Sequence, residues 1–217
     1  MPIPFSASEF LALFRAYNHA VWPAQALLLA LGLGASVAAF RHLPGTPRIV
    51  PLCLAVLWAW TGVVYHLVFF RAINPLAALF GILCLIQAGI FLAYAFRPGD
   101  LTFRASRSLP GLLGGLLLTY AFVVYPLLSR AFGHPYPASP TFGTPCPTTI
   151  ATIGLLLWAK PRVPKRLIFL PIAWTGVGTL AAFQFGMFED LGLTIAGLLG
   201  IAWMLQARLL AARSVPA

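Results

Sequence analysis

The sequence predicts an all-α, polytopic membrane bundle of seven transmembrane helices, with the N-terminus outside and the C-terminus in the cytoplasm. The first observation is composition. The 217 residues are 60% hydrophobic and 8% charged, and mean hydropathy is +0.91. A soluble domain carries about 25% charged residues. The second is that seven stretches contain no Asp, Glu, Lys or Arg: 16–40, 49–70, 72–96, 108–129, 131–159, 167–188 and 191–207. Crossing ~30 Å of hydrocarbon takes ~20 apolar residues. The third is the partition of the fourteen basic residues. Alternate loops place Arg41, Arg48, Arg97, Arg104, Arg107, Lys160, Arg162, Lys165, Arg166, Arg208 and Arg213 on one side, and only Arg15, Arg71 and Arg130 on the other. Short loops rich in Lys and Arg stay in the cytoplasm.

Residues 1–217 read as a single transmembrane domain, and the elements follow in order. The opening Met1-Pro-Ile-Pro-Phe-Ser lacks the charged region of a signal peptide. Ser8 is placed to cap a helix with Glu9 in its first turn, and Phe10, Leu11 and Phe14 share a face, which predicts an interfacial helix. The first span covers 18–40 and the second 49–70, with Trp58, Trp60, Tyr65 and His66. Asn74 and Pro75 open the third, 75–96. The fourth, 109–128, begins with Gly111 and Gly115 at a spacing that lets helices approach closely.

The pattern then breaks. Residues 133–147 read GHPYPASPTFGTPCP, and helix cannot run through five prolines. The fifth span, 147–159, is left with ~20 Å of helix at 1.5 Å per residue. That is too short to cross alone, so the proline-rich outer segment 133–147 is expected to be ordered and packed at membrane depth. The sixth span covers 167–184 and the seventh 191–210.

The chemically able residues gather on the outer side. The ligand-binding candidates are His66, Asn74, His134, Thr141, Cys146, Thr148, Thr149, Glu189 and Asp190. His66 lies within its span, where ionisable groups are costly and suggest function. The start of the short fifth span exposes backbone N–H groups and the positive end of a helix dipole, an anion-friendly spot. Each candidate also has a structural reading. Asp190 can cap the seventh span, His66 can be a neutral core residue, and the threonine hydroxyls can satisfy the broken backbone.

Other chemistries are disfavoured. Both lysines lie in the loop after the fifth span, so none is available for an intramembrane Schiff base. The chain has no Walker A, HExxH or GxSxG sequence. No nucleic-acid partner is expected, because topology and anionic lipid explain the formal charge of +10. Three cysteines make no disulfide framework, and Cys146 between two prolines is weak support for a metal.

Several strings resemble an uncharacterised family of multi-pass bacterial inner-membrane proteins, some labelled permease-like. They are Tyr17-Asn with Trp22-Pro, Trp58-Ala-Trp-Thr-Gly with Tyr65-His, Ile73-Asn-Pro-Leu-Ala, and Gly133-His-Pro-Tyr-Pro continuing into Pro140-Thr-Phe-Gly-Thr-Pro-Cys-Pro-Thr. The resemblance implies a multi-pass bacterial inner (plasma) membrane location and no set reaction. The leading expectation is a small permease or solute-binding protein with a polar site at the periplasmic side. The alternatives are a membrane-embedded His/carboxylate enzyme, with or without a metal, and an accessory subunit. The expected partners are the lipid bilayer and a small-molecule or ion ligand; a homo-oligomer or a membrane-complex partner stays open. No cofactor is called for.

Overall fold

The structure, a computed structural model, describes residues 4–161 and 163–213, with side chains to residue 205. Met1 to Ile3 of the opening, Arg162, and the side chains of Arg208 and Arg213 in the basic set lie outside the described residues.

Helix α1 (Ala7–Val21) starts on a capping box. The Ser6 Oγ accepts from the Glu9 N–H, and the Glu9 carboxylate accepts from the Ser6 N–H at 2.7 Å. Ser6, not Ser8, is therefore the cap, because only Ser6 has Glu at the reciprocating third position. Phe10, Leu13, Phe14, Tyr17 and Val21 recur at helical spacing and are buried, packing against Tyr65, Phe70 and Met187. Helix α2 (Ala24–Phe40) leaves at 90°. The expected single span over 18–40 is thus broken at Trp22-Pro23, where proline supplies no N–H to continue the helix.

Helix α3 (Thr46–Trp60) runs on through a π-helical stretch, Thr61–Phe69, to Ala72. It packs along α4 (Ala77–Phe96), and Gly62 and Gly81 face each other where the two cross. A Cβ on Gly62 would stand 2.9 Å from the Gly81 carbonyl oxygen. Helix α5 (Leu109–Thr119), a π turn (Tyr120–Val124) and α6 (Tyr125–Ala131) form the next rod. It crosses a later helix closely where Gly114 meets Gly154, and a Cβ at Gly114 would lie 2.7 Å from the Gly154 oxygen. Of the Gly111 and Gly115 pair, Gly111 faces its own loop at Ser106 and Gly115 has ordinary space beside Trp158.

Helix α7 (Pro145–Leu157) has 13 residues, all buried except the partly exposed Cys146. It is the axis that α2, α3, α5, α8 and α9 surround. Helix α8 (Lys165–Phe185) ends on Gly186 in the left-handed region, at φ 69°. A 3₁₀ turn, Phe188–Asp190, then leads into α9 (Leu191–Arg213).

Five helices are long and apolar enough to cross a membrane, and six if the bent α1–α2 pair counts as one; α7 is apolar but shorter. Large apolar side chains face outward along them, among them Leu27, Val37, Leu79, Leu116, Phe169 and Leu198. Such a surface suits hydrocarbon rather than water. The chain is thus helical and has the character of a membrane protein.

The loops at one end are tied together. Strand β1 (Thr102–Phe103) pairs antiparallel with β2 (Ala159–Lys160), the Arg104 N–H donates to the Trp158 carbonyl, and the Ala105 N–H donates to that of Ala39. Exposed Arg41, Arg48, Arg97, Arg104, Arg107 and Lys160 belong to this end. The opposite end carries α1, the proline-rich segment and the 188–190 turn.

Candidate functional site

The proline-rich segment is held by one side chain of α1. Asn18, 0% exposed, donates through Nδ2 to the carbonyls of Pro137 at 2.7 Å and Ser139 at 2.8 Å. Its Oδ1 accepts from Gln25 Nε2 at 2.6 Å and from the Thr141 hydroxyl at 2.9 Å. Both amide hydrogens and both lone pairs are used, which leaves the Asn18 side chain no freedom to turn. Farther along, Phe142 inserts over Gly32, and Thr61 Oγ1 donates to the Gly143 carbonyl at 3.1 Å. Residues 138–145 are buried apart from a half-exposed Thr141. Thr141 therefore belongs to the clamp.

The segment delivers α7 with its N-terminus toward the 188–190 turn. Two consecutive acids on that turn go separate ways. Glu189, 0% exposed, accepts through Oε1 from the Ser129 hydroxyl at 3.0 Å, and His134 Nδ1 lies 3.2 Å from the same oxygen. Its Oε2 has no partner. Asp190, 1% exposed, accepts through Oδ1 from the Tyr125 hydroxyl at 2.6 Å. The Cys146 thiol, in the first turn of α7, faces the same carboxylate. The positive end of α7, the anion-friendly spot of the sequence, thus meets the protein's own acid. The partners of Asp190 also differ from those of a capping residue: a phenol and a thiol take the place of the first N–H groups of α9. Thr148 answers the local backbone instead, its Oγ1 accepting from the Gly143 N–H at 3.2 Å.

Asp190 and Cys146 line a cavity of about 390 Å³. Other walls are the π stretch, with Tyr65 and His66, and Phe70 just after it; α4 adds Phe80, and α8 adds Trp174, Ala181, Gln184 and Phe185. Asn74 lies at its rim, where Oδ1 also accepts from the Leu76 N–H at 3.0 Å. Among the exposed apolar residues at its edge are Leu76 and Leu180. Beneath Trp174 the space closes. A gap lined by Trp58, Thr61, Cys84, Thr148, Thr149 and Trp174 is too small for a water molecule.

His66 is the unusual member. It is 0% exposed, and neither ring nitrogen has a hydrogen-bond partner. Its neighbours are rings: Tyr65 and Trp174 at 5.1 Å, Phe70 at 5.7 Å and Phe80 at 5.8 Å between centroids. The Trp174 Nε1–H is also unpartnered. Buried polar atoms are nearly always paired, so three orphans around one cavity single it out.

The expected site residues therefore fall into three places. His66, Asn74, Cys146 and Asp190 line the cavity. Glu189 and His134 are hydrogen-bonded on the far side of the same turn, and His134 is not among the cavity's walls. Thr141, Thr148 and Thr149 build the clamp and the packed floor. Among the described residues no three His, Cys, Asp or Glu side chains are grouped to hold a metal ion. Sequence reasoning passed over Trp174, Tyr125 and Asn18 as site residues. Their polar tips inside apolar stretches were the available signal.

A family model described as a family of unknown function (DUF6064) matches residues 7–214. No curated protein and no solved structure matches the chain.

Proposed function

The chain belongs to the DUF6064 family, and we propose that it is a small-solute-binding membrane protein whose site is the cavity between α3, α4 and α8. The observation that carries this is the cavity itself. A space of about 390 Å³ with apolar walls and a few convergent polar groups has the form of a small-molecule site. One π-helical stretch, with Tyr65 and His66, forms part of its wall, and a second leads to Tyr125, which holds the lining Asp190. Such distortions collect at functional sites.

In the proposed setting the chain lies in a bacterial inner membrane. The α1 end, with the cavity, faces the periplasm, and the basic end faces the cytoplasm. The six candidate crossings and the short α7, completed by the proline-rich segment, make up the seven passes. A permease reading adds one requirement. The layer of Trp58, Thr61, Cys84 and Thr148 below Trp174 must part, because the cavity stops there. A metal-dependent enzyme is the weaker reading, since His66 and His134 serve different places.

The test is occupancy of the cavity. Ala181 lines it, and Ala181→Trp fills it from the α8 side. A panel of small aromatic and aliphatic solutes is titrated into protein held in lipid nanodiscs, with tryptophan fluorescence and calorimetry as readouts. Saturable binding that Ala181→Trp abolishes, with thermal stability retained, supports the proposal. Binding unaffected by Ala181→Trp contradicts it.

A further inference from the structure

Asp190 faces the cavity with no cationic side chain paired to it among the described residues; His134 at this turn bonds Glu189 instead. The groups that do touch its carboxylate, the Tyr125 hydroxyl and the Cys146 thiol, bring no counter-charge. Across the cavity stand the rings of Tyr65, Phe70, Phe80, Trp174 and Phe185. Aromatic faces carry negative quadrupole potential and attract cations, most strongly where water is excluded. His66 sits in this wall, fully buried and unpartnered, and a neutral imidazole keeps one nitrogen lone pair to accept an N–H. Carboxylate, ring faces and a free acceptor all favour the same guest.

We infer that the cavity takes a small organic cation, an amine with an apolar body, with its ammonium group on the Asp190 carboxylate and its body among the rings around His66. The inference rests on the solute-binding reading and names its ligand class. Size agrees, because about 390 Å³ lies in the range that holds a drug-sized molecule. The exposed Leu76 and Leu180 at the edge suit a guest that arrives from the membrane interface. An anion meets the Asp190 carboxylate and, among the described residues that line the cavity, no Lys or Arg, so it is disfavoured. A neutral isostere keeps the ring contacts and leaves Asp190 without its counter-charge.

Three probes of one shape separate these outcomes: benzylamine, benzyl alcohol and benzoate, titrated by calorimetry into protein in lipid nanodiscs, with empty nanodiscs as the partition control. Benzylamine is expected to bind at least about tenfold more tightly than benzyl alcohol, roughly the contribution of one charge-assisted contact, and benzoate to show no saturable binding. Asp190→Asn keeps the oxygen that Tyr125 donates to and removes the charge. It should bring the amine within about twofold of the alcohol while alcohol binding persists. The wild-type contrast alone decides the matter if that variant does not fold. Alcohol or benzoate binding as tightly as the amine, and lost in Ala181→Trp, overturns the inference and leaves the solute-binding reading intact. Absence of saturable binding by all three overturns both.

Discussion

Tyr125 donates its hydroxyl to Asp190 at 2.6 Å across a sequence separation of 65 residues, and the π turn before Tyr125 makes this possible. Tyr120 also reaches the same turn, donating to the Glu189 carbonyl at 2.8 Å. Residues five apart on a regular α-helix lie about 140° apart, at ~100° per residue. The Tyr125 N–H instead bonds the Tyr120 carbonyl, an i→i+5 link that widens the turn and brings both rings to one side. Their centroids are 6.4 Å apart. One local distortion therefore fixes the turn that carries both buried acids.

Tyr125→Phe should consequently destabilise the protein by about 1–3 kcal/mol, the usual consequence of stranding a buried polar partner. Tyr120→Phe should do less, because its ring is half-exposed and its acceptor is a backbone carbonyl. Thermal unfolding in detergent reads both. Equal midpoints for Tyr125→Phe and the unmodified protein would show that the Asp190 contact holds nothing together.

Asn18 satisfies two carbonyls and takes two donors, so Asn18→Ala removes four hydrogen bonds at once. The segment 133–147 should then open while the apolar helices persist. Protease added from the α1 side should cut the variant within 133–147 and spare the unmodified protein. Equal resistance of the two would mean that Phe142 and the threonines hold the segment without the clamp.

His66 makes no hydrogen bond, so replacing it with a ring of similar size loses none. His66→Phe is expected to leave the unfolding midpoint unchanged or raised, because an unsatisfied buried polar group is itself a cost of ~1–3 kcal/mol. Binding of an amine solute should nonetheless weaken. A lowered midpoint with binding retained would make His66 a packing residue.

The proposed direction of insertion rests on the basic end. Reporter fusions at the C-terminus should be active only in a cytoplasm-dependent assay, because eight described basic residues and the three outside the description share that side by loop order. Periplasmic activity of the same fusion would invert the proposed orientation.

Much of the helical plan was legible because charge-free runs are long and the breaks between them are prolines or charges. A short apolar run between the prolines and Lys160 stood out, expected as helix over 147–159 and found as helix over Pro145–Leu157, because proline fits the first turn and Ala159 joins a strand. The break at Trp22-Pro23 was less visible: the run 16–40 carries no charge, and hydropathy does not register direction. The π stretches have no composition of their own. Thr61 folds its hydroxyl onto both the Leu57 and Gly143 carbonyls, a tertiary matter that spacing cannot reveal. The same holds at the site. Polar residue types pointed to one end of the helices, but which acid takes His134 and which faces the cavity depends on the 3₁₀ turn that splits neighbours 189 and 190. Trp174 read as an ordinary aromatic until its polar tip was placed.

The most direct measurement is an experimental density map of the protein taken from its native membrane without added solute. The account predicts an open cavity bounded by His66, Trp174 and Asp190, holding non-protein density against the rings. A cavity closed by Phe80 and Phe185 packed onto Trp174, with no room for a guest, would contradict it.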